Sequence, residues 1–77
     1  MPSISEAILG NCQGNWLKVA RIIVSAHSEL GLPDDEAAYN LLELELVKLV
    51  ATGRLEAVGD LSDWRRSEVR LATYSGN

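Results

Sequence analysis

Hydrophobic residues in the first two thirds of the chain recur every three or four positions, which is typical of helices that bury one face. The pattern predicts three helices at about residues 3–12, 16–30 and 35–52. In the second helix, Trp16, Ile23 and Leu30 lie on one apolar face. The predicted buried face of the third helix consists of Ala38, Tyr39, Leu42, Leu46, Leu49 and Val50.

Capping residues support these boundaries. Ser3 and Glu6 form the S-x-x-E pattern of a capping box, so the first helix is expected to begin there. Asn15 is the expected N-cap of the second helix. Gly31 and Gly53 stand where the second and third helices should end, because glycine readily adopts the left-handed conformation of a helix C-terminus.

After Gly53 the hydrophobic period falls to two, which predicts a β-hairpin with strands at about residues 54–58 and 68–72. Placing Glu56 opposite Arg70 pairs opposite charges across the strands. Placing Glu56 opposite Glu68 instead would set Arg54 against Arg70, so we reject that register. The chosen register also gives the hairpin one apolar face, made of Leu55, Ala57, Val69 and Leu71.

These elements predict a single domain over residues 1–77 with an α+β fold that is mainly helical. Three helices followed by a two-stranded antiparallel wing are the layout of a winged helix-turn-helix. A chain of this length supports one modest hydrophobic core.

Composition points to a cytoplasmic, non-membrane domain. Cys12 is the only cysteine, so an intrachain disulfide is excluded, and the N-terminal residues lack the pattern of a secretory signal peptide. No apolar run reaches the roughly 20 residues that a membrane helix needs. The net charge of −4 opposes non-specific attraction to nucleic-acid phosphates.

Few residues could carry chemistry. Cys12 and His27 are the only candidates for a nucleophile and its base, and we expect a small buried hydrophobe and a histidine at the core edge, respectively. A structural zinc site needs four Cys or His ligands, and the chain has only these two. We therefore predict no enzyme activity, no catalytic residue, no metal site and no cofactor.

Three segments are similar to a bacterial family of domains of unknown function. They are Trp16 with residues 18–23 (KVARII), residues 49–60 (LVATGRLEAVGD) and residues 67–71 (SEVRL). Members of this family often form the C-terminal module of larger uncharacterised proteins. The resemblance implies a winged-helix-like fold and supplies no catalytic or binding residues.

The third helix carries the first candidate surface. Leu41, Leu44 and Val47 fall outside its main apolar face, with Glu43 among them, so they are either buried by the first helix or exposed as an apolar strip. An exposed strip would bind a protein partner or a second copy of the chain. The main hypothesis is therefore a non-catalytic protein-interaction module, with an acidic inhibitor of a basic partner as one variant.

The wing carries the second candidate. Trp64, Arg65 and Arg66 could stack on a base and hold a phosphate, as in a DNA-binding winged-helix regulator. Alternatively, Trp64 folds back over the hairpin and the arginines pair with nearby acids. Acidic residues on the third helix disfavour the DNA-binding hypothesis, because they repel phosphates.

Overall fold

The computed structural model describes residues 3–72 of the chain. Three helices and an antiparallel sheet make up an α+β fold, and the predicted order of three helices before a C-terminal hairpin is confirmed. The elements are α1 (Ile4–Gly10), β1 (Leu17–Lys18), α2 (Val19–Leu30), α3 (Glu36–Ala51), β2 (Leu55–Val58) and β3 (Glu68–Leu71).

The first helix begins as its capping residues predict. The Ser3 hydroxyl accepts a hydrogen bond from the Glu6 amide at 3.1 Å, and the Ser3 amide donates to Glu6 Oε1 at 2.8 Å. The two bonds satisfy N–H groups that a helix start leaves without partners. The helix then buries Ala7 and Ile8.

The sheet has three strands rather than the predicted two. In the hairpin the predicted register is confirmed, with Glu56 opposite Arg70 and Leu55 opposite Leu71. The additional strand, β1, pairs with the other edge of β3 and sets Lys18 opposite Glu68, so the strand order is β1-β3-β2. The prediction of a two-stranded wing is wrong in strand number, because β1 pairs with the backbone groups on the second edge of β3.

The predicted start of the second helix is also wrong. The helix begins at Val19 instead of residue 16, and its N-cap is Lys18 instead of Asn15. Lys18 makes no side-chain capping bond. The chain before Val19 is extended because Leu17 and Lys18 pair with β3.

The turn between α2 and α3 is formed by the capping residues Gly31 and Asp35. Gly31 caps α2 with a φ of 63°, the left-handed conformation that glycine adopts without steric cost. Asp35 then caps α3 by accepting a hydrogen bond from the Ala38 amide at 2.9 Å. The two helices are thereby joined by a short turn that fixes their relative direction.

One hydrophobic core lies between the three helices and the inner face of the sheet. The main apolar face predicted for α3 is confirmed, because Ala38, Leu42, Leu46 and Leu49 are buried. The largest fully buried apolar side chains are Ile8, Val19, Ile22, Ile23, Leu42, Leu46 and Val69.

Candidate interaction surface

The solvent-facing side of α3 carries an apolar stripe formed by Leu41, Leu44 and Val47. Their exposed fractions are 46 %, 61 % and 37 %, so the alternative in which α1 covers them is wrong. The stripe arises because α3 already fills the core with its opposite side, which leaves these three aliphatic residues in water.

Most of the exposed side of α3 is apolar. Five of its eight exposed residues are aliphatic, and among the described residues of this face only Glu36, at the start of the helix, is acidic. The eight are Glu36, Ala37, Asn40, Leu41, Leu44, Val47, Lys48 and Ala51. A surface helix normally directs polar residues outward, so α3 is unusual in being mostly apolar on its exposed side as well as on its buried side.

The acids expected to surround the stripe are engaged within the chain. Glu43 is half-buried, and its Oε1 accepts a hydrogen bond from Trp64 Nε1 at 2.6 Å. The carboxylate of Glu45 lies 3.9 Å from the ammonium of Lys48. Glu43 was predicted as part of the partner surface, and the structure places its carboxylate at the edge of the stripe, against Trp64.

Trp64 belongs to a row of three aromatic rings that joins α2, α3 and the connection between β2 and β3. The rings of His27 and Tyr39 are stacked 4.4 Å apart, and the Trp64 ring lies 6.0 Å from that of Tyr39. Trp64 therefore folds back, as the alternative to base stacking predicted, but its contacts are with α3 and not with the hairpin that this alternative named. Trp64 is partly buried and packs against the core, so part of its ring is not free to stack on a partner.

The wing loop, residues 59–67, is fastened to the start of α2. The amide of Val19 donates to the carbonyl of Ser67 at 3.0 Å, and the amide of Ala20 donates to the carbonyl of Trp64 at 3.1 Å. These carbonyls take the place of the missing side-chain cap, since the first N–H groups of a helix lack partners within it. The loop thus completes α2 while its Trp64 contacts α3.

Within the wing loop, Asp60 organises a tight turn. Its Oδ1 accepts from the Ser62 hydroxyl at 2.7 Å and from the Ser62 amide at 3.0 Å. These bonds favour the ionised carboxylate and lower the pKa of Asp60 below its usual value. Arg65 and Arg66 remain exposed, and Arg66 lies 3.8 Å from the carboxylate of Asp63, one of the acids that the sequence suggested.

On the outer face of the sheet, the predicted pairing of Arg70 with Glu56 is joined by a cation–π contact that the sequence pattern did not predict. The guanidinium of Arg70 lies 4.4 Å from the centre of the Trp16 ring, and its Nε donates to Glu56 at 2.6 Å. Trp16 was predicted to face the core from α2. Its place over a cation follows from the extended chain before Val19, which directs it to the sheet.

The side chains of Cys12 and His27 are both held by contacts within the fold. Cys12 is buried and its Sγ donates to the carbonyl of Ile8 at 3.3 Å, and burial raises the pKa of its thiol to about 11. The Nε2 atom of His27 lies 2.8 Å from the carbonyl oxygen of Pro33, and its ring stacks on Tyr39. Both predictions, a buried thiol and a core-edge histidine with a partnered ring, are confirmed. No group of three or more His, Cys, Asp or Glu residues that could hold a metal ion lies within residues 3–72.

In the described part of the chain, every helix is too short or too polar to cross a membrane. No family model, curated protein or solved structure matches the chain. The resemblance to a bacterial family of domains of unknown function therefore stays a prediction.

Proposed function

We propose that this chain is a non-catalytic protein-interaction module of the bacterial cytoplasm, and that the exposed side of α3 is its contact surface. The observation that carries the proposal is the apolar stripe, whose most exposed member, Leu44, is 61 % accessible. The lone buried cysteine is in keeping with a reducing compartment.

Binding a partner removes this apolar surface from water, and each Å² removed contributes about 25 cal/mol. Contiguous aliphatic residues with polar groups at their margin are the usual anatomy of a protein contact. The polar margin here includes Asn40 and Lys48, which are exposed beside the stripe. Catalysis is not part of the proposal, because Cys12 and His27 both have structural roles.

A matched pair of variants tests the proposal. Leu44→Asp places a charge in the stripe, and Val24→Asp places one at a similarly exposed residue of α2, where Val24 is 56 % accessible. Tagged wild type and both variants are used to capture proteins from cells that also produce an untagged copy. We expect a bound protein, which includes the untagged copy as a candidate, to be lost with Leu44→Asp and retained with Val24→Asp.

Circular dichroism and thermal unfolding establish that both variants fold. If the same proteins, or none, are captured by wild type and by folded Leu44→Asp, the stripe is not a contact surface and the proposal is wrong. Loss of the partner with both variants also contradicts it, because the effect would then be one of added charge.

The alternative function, a DNA-binding regulator that contacts phosphate through the wing, has less support. Arg65 and Arg66 are exposed, yet Trp64 is packed against α3, and the outward side of α3 offers mainly aliphatic groups. Base readout needs hydrogen-bonding side chains on the helix that enters the groove. Salt-sensitive binding to random-sequence duplex, lost in an Arg65→Glu and Arg66→Glu double variant, would favour this alternative.

A further inference from the structure

The exposed side of α3 is nearly symmetric in residue type about Leu44. Aliphatic residues lie three positions away in both directions, polar residues four positions away and alanines seven positions away. The pairs are Leu41 with Val47, Asn40 with Lys48, and Ala37 with Ala51, and all six residues are exposed.

Such symmetry is what an isologous contact requires. When two identical helices pack antiparallel about a twofold axis at one residue, each position before that residue meets the equivalent position after it in the other copy. Leu44 would then meet its own copy, and Leu41 would meet Val47. Ala37, Leu44 and Ala51 are seven residues apart, the spacing that keeps one seam of a helix against its neighbour, and the small alanines let the backbones approach closely.

Charge favours a second copy over a basic partner. A basic surface would need free carboxylates beside Leu44, but Glu43 accepts from Trp64 and Glu45 lies beside Lys48. The exposed acid of this face, Glu36, lies at the start of the helix, away from its centre. In the antiparallel pair, the Lys48 ammonium approaches Asn40, whose side-chain oxygen can accept a hydrogen bond from it. Two chains of net charge −4 can therefore meet along this face without bringing unpaired acids together at its centre.

We propose that the partner on the apolar stripe is a second copy of this chain, with the two α3 helices antiparallel about a twofold axis at Leu44. This inference rests on the proposed function. The seam from Ala37 to Ala51 spans about 21 Å of helix at 1.5 Å per residue. Because one helix of this length buries less than the roughly 1,200 Å² of a standard interface, the dimer is expected to dissociate in the micromolar range.

Sedimentation equilibrium from about 1 µM to about 500 µM tests for the dimer, since this range brackets a micromolar dissociation constant. Wild type should change from monomer to dimer within it. Leu44→Asp should raise the dissociation constant at least about tenfold, whereas Val24→Asp should leave it within about twofold of wild type. A wild type that is monomeric throughout the range overturns the inference.

Disulfide cross-linking tests the antiparallel arrangement. Under mild oxidation, Leu44→Cys should form a covalent dimer faster than the control Val24→Cys, because the two thiols would face each other on the axis. Ala37→Cys and Ala51→Cys should cross-link when mixed and react slowly when each is alone. Native Cys12 is buried, so it does not compete for these thiols.

The outcomes separate the inference from the proposed function. Leu44→Cys that cross-links no faster than Val24→Cys overturns the inference, as does Ala37→Cys that pairs with itself faster than with Ala51→Cys. If the purified chain is monomeric while Leu44→Asp abolishes capture of a different protein, the second copy is wrong as the partner and the interaction module stands.

Discussion

The hydrogen bond between Trp64 and Glu43 should be a measurable part of the stability of this fold. It joins the wing loop to α3 across 21 positions of sequence, with an N···O distance of 2.6 Å. A hydrogen bond to an ionised group contributes about 1.5–3 kcal/mol when its partner is removed. Glu43 is half-buried, so water can partly replace the indole, and we expect a value at the lower end, about 1.5 kcal/mol.

A double-mutant cycle isolates this bond. Trp64→Phe removes the indole N–H and some packing, and Glu43→Ala removes the carboxylate. The coupling energy is the effect of the double variant minus the sum of the two single effects, so the packing lost in each single variant cancels. Urea unfolding gives the free energy of each protein by linear extrapolation. We expect a coupling energy of about 1–2 kcal/mol. Trp64→Phe alone should lower the melting temperature by about 6–12 °C, because 1 kcal/mol corresponds to about 4–8 °C in a domain of this size.

Glu43→Gln is the control of matched shape. Glutamine keeps an oxygen that can accept from the indole but loses the charge. The free energy of unfolding of Glu43→Gln should therefore lie between those of wild type and Glu43→Ala. A coupling energy below about 0.5 kcal/mol would show that the two changes are additive, since distant sites usually add within about 0.3–0.5 kcal/mol. The wing loop would then not be fastened to α3 by this bond.

Two further predictions concern the wing loop. Gly59 has a φ of 84°, and a Cβ there would lie 2.6 Å from the carbonyl oxygen of Arg66, so Gly59→Ala should destabilise the protein by about 2 kcal/mol or more in urea unfolding. Gly10→Ala, where a Cβ meets nothing within 4 Å, should not; equal effects would contradict the close approach. The lowered pKa of Asp60 means that its contribution to stability is present above its ordinary value of 3.8 and is lost as pH falls through the folded pKa. Carbon-detected NMR titration should show the pKa of Asp60 rising in Ser62→Ala, and an unchanged pKa would refute the role of the serine hydroxyl.

Local patterns were enough to predict α3 and the hairpin. The side of α3 that contains Leu42 and Leu46 repeats at helical spacing, and burial of that side is the main source of its stability. In the hairpin, the charges of Glu56 and Arg70 select one register, and the structure has that register. Both inferences use residues that are neighbours on one element or on adjoining strands.

The remaining features depend on contacts that the sequence pattern does not encode. Trp16 and Val19 continue the helical spacing of α2, but pairing with β3 makes the chain extended up to Lys18. Capping of α2 by the carbonyls of Trp64 and Ser67 involves residues more than 40 positions away. Backbone carbonyls carry no residue-specific signal, so a capping arrangement of this kind can be predicted only once the fold is known.

The wing loop bears directly on which of the two functional hypotheses is favoured. A wing that grips DNA projects from the domain, with its side chains free to reach the phosphate backbone. Here the loop uses its carbonyls to cap α2 and its tryptophan to contact Glu43. That contact also draws the Glu43 carboxylate away from solvent at the margin of the apolar stripe. The same interaction thus occupies the tryptophan that would stack on a base and engages the carboxylate beside Leu44, which favours an apolar contact on α3 over a nucleic-acid contact on the wing.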